Sequence, residues 1–309
     1  MYRSRNTHPC RQSPRPMHIP RYWAKAGQTV RRGQPPTMLE RHLIVWRGSD
    51  LSLEDARQQA HQELAARIAR FQRGEPLRHY PHNIQPLREP VIQTLTNQQG
   101  ERIAVVTRNA AGCLVLNTAQ VMFIDLDFDT ALRTDWRQSL AAFWGRITGR
   151  RTAQPDAEQQ LLARVRDWHA REARDWQVRV YRTRAGLRLL VGHQRFDPTA
   201  ATTQKLMRRL RSDQRYIQLC AIQACFRARL TPKPHRIGFY RPPDRYPWTT
   251  EEEINRQRQW ETKYAARSQG FTVCRWLGDL GPPRLHPDAW EIQRFHDAQT
   301  LATSSKPLA

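Results

Sequence analysis

The sequence predicts an α+β protein with an antiparallel-rich central sheet and flanking helices, on three observations. In the middle of the chain, short apolar stretches of strand character are joined by turn-forming residues, as in hairpins. Longer stretches carry apolar residues at three- and four-residue spacing, the mark of amphipathic helices. Hairpins and helices alternate along the chain, which favours mixed α and β structure with an antiparallel component. At 309 residues the chain is long enough for one large or two ordinary domains.

Residues 1–37 read as a flexible basic arm, since "MYRSRNTHPCRQSPRPMHIP" is dominated by Pro, Arg and Ser. Residues 38–95 read as an N-terminal helical region. Its helix lies in "DLSLEDARQQAHQELAARIARFQRG" (50–74), where Leu53, Ala56, Ala60, Leu64, Ile68 and Phe71 line one face. Ser52 and Asp55 supply the starting cap and Gly74 the stop. Residues 75–90 read as a loop.

Residues 96–245 read as the central α/β core. "RIAVVTR" (102–108) and "CLVLN" (113–117) flank the turn "NAAG", and "VMFIDLDF" (121–128) follows, so the three are expected to form a meander. A helix is expected over 155–176, with Leu161, Leu162, Val165 and Trp168 on one face. A second hairpin is expected over 177–183 and 187–193. Asp197 as N-cap and Pro198 as first helical residue predict a helix over 196–213. Helix over 216–226 and strand over 227–231 complete the core. Residues 246–309 read as a C-terminal helical region with one strand: a helix over 249–270, the strand "FTVCRWLG", and a last helix in "HPDAWEIQRFHDAQ".

Charge speaks about partners rather than fold. Lys and Arg total 51 against 28 Asp and Glu, a formal net charge of +23. Nearly all the excess is Arg, which suits bidentate phosphate contacts and stacking on bases. Nucleic acid or a nucleoside triphosphate is therefore the expected partner. No apolar run approaches the ~18 residues of a membrane span, and the N-terminal stretch lacks the apolar segment of a secretory signal. Five scattered cysteines, an odd number, suggest reduced thiols and a cytoplasmic location. The glycine-rich P-loop and dinucleotide fingerprints and the G-x-S-x-G elbow are absent.

The acidic exception is "VMFIDLDFD" (121–129). Side chains alternate on a strand, so Asp125, Asp127 and Asp129 share one face with Val121 and Phe123. Clustered carboxylates repel one another, and a divalent cation relieves them; oxygen ligands suit Mg²⁺ or Mn²⁺. Asp125, Asp127 and Asp129 are thus candidate metal ligands, with Asp125 and Asp127 the candidate catalytic pair, and such a metal can bridge phosphate oxygens. The competing reading makes the row the outer face of an edge strand, with each Asp paired to an Arg such as Arg108 or Arg133. D-x-D also occurs in glycosyltransferases and haloacid-dehalogenase-like phosphatases. The latter want a hydroxyl two residues after the second Asp, where this chain has Asp129.

Two basic segments follow. "VYRTRAGLRLLV" (180–191) sets Arg182, Arg184 and Arg188 around a turn with Gly186, where small residues let a phosphate approach the backbone. "CFRARLTPKPHR" (225–236) adds Arg227, Arg229, Lys233 and Arg236, with His235 among them. Together Arg182, Arg184, Arg188, Arg227, Arg229, Lys233 and Arg236 are the candidate phosphate- or nucleic-acid-binding residues. Cys220, Cys225 and His235 have poor spacing for zinc and read as small core residues with a loop His. Ten tryptophans, among them Trp136, Trp144, Trp168, Trp176 and Trp260, serve either base stacking or the core.

A strand ending in D-x-D, a later small-residue hairpin and then "RARLTPKP" resemble the archaeo-eukaryotic primase superfamily over roughly residues 100–240. The resemblance implies a primase/RRM-like core in which Asp125 and Asp127 hold Mg²⁺ or Mn²⁺. Residues 184–188 would touch nucleotide phosphates, and Arg229 and Lys233 would lie on the basic stretch. It implies a divalent-metal-dependent nucleotidyl-transfer enzyme acting on nucleotides or nucleic acid. The chain departs from the family in placing Arg188 near the family's His and in offering only Asp197 and Asp213 toward its third acidic motif. The departure keeps open the alternative of a non-catalytic nucleic-acid-binding protein with a degenerate core. "YRTRAGLR" and "CFRARLTPKP" also resemble an uncharacterised bacterial family, which implies no activity.

Overall fold

The computed structural model describes residues 17–77, 87–128 and 156–309. Among them, ten strands and six α-helices build three sheets, one of two strands and two of four, and every strand pair within a sheet is antiparallel. The α+β class expected from the sequence is therefore the observed one. Asp129, Arg133, Trp136 and Trp144 lie outside the described residues.

The first unit is a hairpin carrying a helix. β1 (Tyr22–Arg32) pairs with β2 (Leu39–Ser49) from Tyr22↔Ser49 to Arg32↔Leu39. α1 (Leu53–Gln72) closes one face, and Ala26, Val30, Leu43 and Val45 bury against Ala60, Leu64 and Phe71. Ser52 Oγ accepts from the Asp55 N–H at 3.0 Å, as its cap spacing predicts. Residues 22–32 are thus a strand and not part of a flexible arm, and the region 38–95 contributes strand as well as helix. The buried positions of β1 are Trp23 and small residues, Ala24 and Ala26, with Val30 further on, and the exposed ones are polar or glycine. That composition hides the period-2 pattern. Residues ahead of β1 anchor the unit: the His18 N–H donates to Gln223 O at 2.8 Å, and Met17 and Ile19 bury with Val105 and Cys225.

One four-stranded sheet runs β3 (Val91–Thr96), β4 (Arg102–Arg108), β5 (Leu114–Thr118), β9 (Phe226–Arg229). The other runs β10 (Cys274–Leu280), β7 (Val178–Thr183), β8 (Gly186–Val191), β6 (Met122–Asp127). The expected hairpins β4–β5 and β7–β8 both form. The meander does not: β6 leaves the sheet of β5 and pairs with β8, and β9 takes the place beside β5. The link after Thr118, whose Oγ1 donates to Val121 O at 2.5 Å, hands the chain to the second sheet. Apolar periodicity marks a strand without naming its neighbour. Residues from both sheets, including Leu116, Phe123, Ile124, Leu189 and Phe226, share one core.

Helices fill the remaining faces. α2 (Ala157–Glu172) buries Leu161, Val165 and Trp168. Asp197 does not cap the next helix; its Oδ1 accepts from the Thr199 N–H at 2.8 Å in a preceding turn, and α3 spans Ala201–Arg209. α4 (Gln214–Gln223) is capped by Asp213, which accepts from Arg215 N and Tyr216 N. α5 (Glu251–Ser268) opens on a capping box of Thr250 and Glu253. α6 (Pro287–Thr300) buries Ala289, Ile292 and His296. β6 is an edge strand, and its outward carbonyls are covered: Ser212 Oγ donates to Asp125 O and Tyr216 OH to Phe123 O, both at 2.8 Å. An edge so occupied cannot template another strand. No described helix is long and apolar enough to cross a membrane.

Behind β5 and β9 lies a buried ion pair. Arg227 Nη2 is 2.9 Å from both oxygens of Glu89, and Thr107 Oγ1 donates to Glu89 Oε2 at 2.5 Å. The side chains are 7 % and 3 % exposed. Removing one charge of such a pair strands the other away from water, at a cost of about 3–5 kcal/mol. Glu89→Gln is therefore expected to lose about that much stability in urea unfolding, whereas Glu54→Gln, which breaks the exposed Glu54–Arg57 pair, should be close to neutral.

Candidate functional site

β6 and β8 place Asp125 directly opposite Arg188. Arg188 Nε donates to Asp125 Oδ1 at 2.7 Å and Nη2 to Oδ2 at 3.1 Å, a two-pronged contact that occupies both carboxylate oxygens. The Arg188 side chain is 2 % exposed. Burial pulls its pKa down, but the charge and hydrogen bonds of Asp125 outweigh this and the net shift is upward. Its Nη1 donates to Arg229 O at 2.9 Å and lies 3.3 Å from His296 Nε2.

His296 sits between Phe123 and Tyr181, with ring centroids 5.1 and 4.8 Å away. Burial drives its pKa down to about 4, so the ring is neutral at pH 7. A neutral ring facing the Arg188 donor must accept at Nε2, which puts its proton on Nδ1, 3.2 Å from Asp297 Oδ1. Asp297 also accepts from Tyr181 OH at 2.6 Å and pairs with Arg179 Nη2 at 2.9 Å, and Arg179 pairs onward with Asp279 at 3.0 Å. Asp125 thus starts a continuous chain of paired polar groups running under α6, in which the buried Arg179 Nε is left without a partner among the described residues.

This arrangement corrects two expectations. Arg188, expected at the phosphates, points inward with its Nε and Nη2 held by Asp125. Asp125 has a guanidinium where a divalent cation was expected, and the structural alternative of an Asp–Arg pair is realised with Arg188 rather than Arg108, which pairs with Glu261 at 3.0 Å. Among the described residues no group of three or more His, Cys, Asp or Glu is placed to hold a metal ion. Asp129, the third expected ligand, lies outside the described residues. Asp197 is committed to a turn and Asp213 to a helix cap.

The remaining basic residues divide. Arg182 Nε pairs with Glu158 at 2.6 Å, with its guanidinium 4.6 Å over Phe128, and Arg227 is buried with Glu89. Arg184, Arg229, Lys233 and Arg236 converge. The convergence depends on Gly186: a Cβ there would lie 1.8 Å from Leu126 O, so only glycine lets the β7–β8 tip close on β6. The space was expected to admit a phosphate; it admits a neighbouring strand. The Phe128 N–H then donates to Ala185 O at 2.9 Å, holding exposed Arg184 at the end of β6 near Asp127. From the other side, the segment after β9 is stiffened by Pro232 and Pro234, which opens a 3₁₀ turn (Pro234–Ile237). α5 clamps it, with Tyr264 OH donating to Pro232 O at 2.5 Å and Arg267 Nε to Ile237 O at 2.9 Å.

The four cations feel one another. Burial lowers the pKa of Arg229, and the charges of Arg188 and Arg236 lower it further. Burial and then Arg229 and Arg236 do the same to Lys233, and burial and then Arg184 to Arg236. Asp127 acts on Lys233 and Arg236 in the opposite sense. His235 and Arg241 belong to the same neighbourhood. The nearby ion pairs are Asp125–Arg188 and Glu158–Arg182, and none of the four cations takes part in either. Sequence reasoning missed Arg241, and it missed the supporting network of His296, Asp297 and Tyr181, because the last helix carries no motif beyond its helical period.

The chain matches no family model, no curated protein and no solved structure.

Two predictions test the supporting network. Asp125→Asn strands the Arg188 charge and should cost about 3 kcal/mol, the low end for a buried pair because the Asp125 side chain is 36 % exposed. Wild-type melting should be indifferent to Mn²⁺; a melting temperature raised by Mn²⁺, with Asp125→Asn as stable as wild type, is instead the pattern of a metal site. The second concerns pH. The pKa of His296 falls from 6.5 to about 4 on folding, so between these values the unfolded chain holds a proton that the folded one does not. Stability must fall as pH drops through that window, by about 3 kcal/mol in all from this group. Urea unfolding at pH 7 and pH 4.5 should show a shallower loss in His296→Gln.

Proposed function

We propose that the protein binds nucleic acid through its phosphate backbone, with Arg184, Lys233 and Arg236 as the contact surface, the largely buried Arg229 behind them adding its charge, and the D-x-D strand kept for structure rather than chemistry. The observation that carries this is the convergence of four cations from two separate segments, none of which forms an ion pair with a carboxylate among the described residues. Holding like charges together costs stability, and an anionic ligand relieves that cost. The net charge of +23 supplies the long-range attraction. This is the degenerate-core alternative of the primase-like resemblance. The nucleotidyl-transfer reading keeps Asp127, close to Lys233 and Arg236, but loses Asp125 to Arg188. It predicts Mn²⁺-dependent nucleotide incorporation, which the binding reading does not.

Filter binding to a short duplex at 50–200 mM salt tests the proposal. With about six phosphates contacted, log K should fall against log salt with a slope near −5. The triple variant Arg184→Ala, Lys233→Ala, Arg236→Ala should lose about three units of that slope without losing thermal stability, since it removes mutual repulsion. A flat wild-type salt response, or a triple variant with the wild-type slope, overturns it.

A further inference from the structure

A cleft of about 1020 Å³ opens between the β1–β2 hairpin, residues 87–90, the β4–β5 turn and the loop 242–248, and it shares no residue with the cationic cluster. Its size is at the upper limit of the ~300–1,000 Å³ usual for small-ligand pockets, which suits a length of chain rather than a single small molecule. Four aromatic side chains line it: Trp23, Trp46, Tyr246 and Trp248. Arg88 stands over the Trp46 ring at 4.2 Å, and Tyr246 and Trp248 meet edge-on with centroids 5.2 Å apart. Trp248 Nε1 is shielded from water and has no acceptor among the described residues.

The charge of the walls is one-sided. Two acids line the cleft, Glu89 and Asp244, and each is paired with an arginine that does not line it: Glu89 with Arg227 at 2.9 Å, Asp244 with Arg256 at 3.0 Å. Arg88 and Arg245 remain close enough for Arg245 to lower the pKa of Arg88, after burial. Rings with π-faces next to guanidiniums favour bases beside phosphates. A paired base keeps its faces inside the duplex, so only an unpaired one can use these rings.

We infer that this cleft is a binding track for single-stranded nucleic acid, in which bases stack on Tyr246 and Trp248 and the backbone runs along Arg245 and the Arg88 guanidinium seated on Trp46. The inference rests on the nucleic-acid reading of the protein and adds the strandedness of its ligand.

The test uses the full chain with a fluorescein-labelled twelve-residue oligo(dT), and the same label on a twelve-base-pair duplex. Oligo(dT) is expected to bind and to quench tryptophan emission. Trp248→Ala with Tyr246→Ala should weaken oligo(dT) on the order of tenfold or more and leave duplex affinity unchanged. Arg245→Glu, at an exposed loop position, guards against a fold defect in the aromatic double variant and should weaken oligo(dT) likewise. The triple variant of the cationic cluster should keep the quenching at saturation. Oligo(dT) bound equally by wild type and both cleft variants, or bound without quenching, overturns the track. Duplex bound with a steep salt response but oligo(dT) ignored overturns the track and leaves the phosphate-binding surface standing. Binding of neither probe overturns both.

Discussion

The Asp125–Arg188 pair joins more of the molecule than any other single contact described here. Arg188 sits on β8, its carboxylate partner on β6, the carbonyl it serves on β9, and the imidazole it faces on α6. Three of its donors thus fix one strand to three other elements, and the Arg229 carbonyl links the two four-stranded sheets. Taking a guanidinium out of water is costly, and a buried pair often adds no net stability over apolar groups of the same volume. What such a pair can add is position. An apolar residue at 188 would pack with several registers of β6, whereas the two-pronged contact with Asp125 favours one.

That fixed register determines what the neighbouring surface can be. Asp127 falls opposite Gly186, the hairpin tip closes over Leu126, and Arg184 is delivered beside the segment 229–236. Asp125 is turned to Arg188 and offsets the charge around Arg229 only in part, so burial and then Arg188 and Arg236 leave the pKa of Arg229 lowered. The same carboxylate that reads as a metal ligand in the sequence therefore leaves the surface next to it cationic.

Most elements were legible because their signals are local. The Ser52 cap and the turns of both hairpins each lie within a few residues and act through their own backbone, so their chemistry survives any tertiary context. β1 was hidden because half of its buried residues are alanines, and β6 was misplaced because sheet order depends on distant partners, here Arg188, 63 residues from Asp125. The site was half legible for the same reason. Arg184, Lys233 and Arg236 sit on a tip and a proline-stiffened loop, where side chains face outward. Arg188 and Arg227 lie on strands, and whether a strand arginine faces a carboxylate or solvent depends on the opposite strand or the layer behind it. Glu89, the partner of Arg227, lies 138 residues away in the sequence. Alternation placed Asp125 and Asp127 on one face correctly, yet it could not supply the guanidinium opposite.

The distribution of the few acids gives the strong charge its structure. With 28 acids against 51 bases, a random scatter of carboxylates would leave a weak positive field everywhere. Instead several acids pair with arginines within the fold: Asp125 with Arg188, Glu89 with Arg227, Asp297 and Asp279 with Arg179, Glu158 with Arg182. Each pair is nearly neutral at a distance, so it adds little to the field while allowing charged residues inside. At the four-cation cluster, by contrast, Arg184, Arg229, Lys233 and Arg236 form no ion pair with a carboxylate among the described residues, and Asp127 offsets their charge only in part. A chain built this way can bury charge for positional reasons and still present its positive surface at a chosen place.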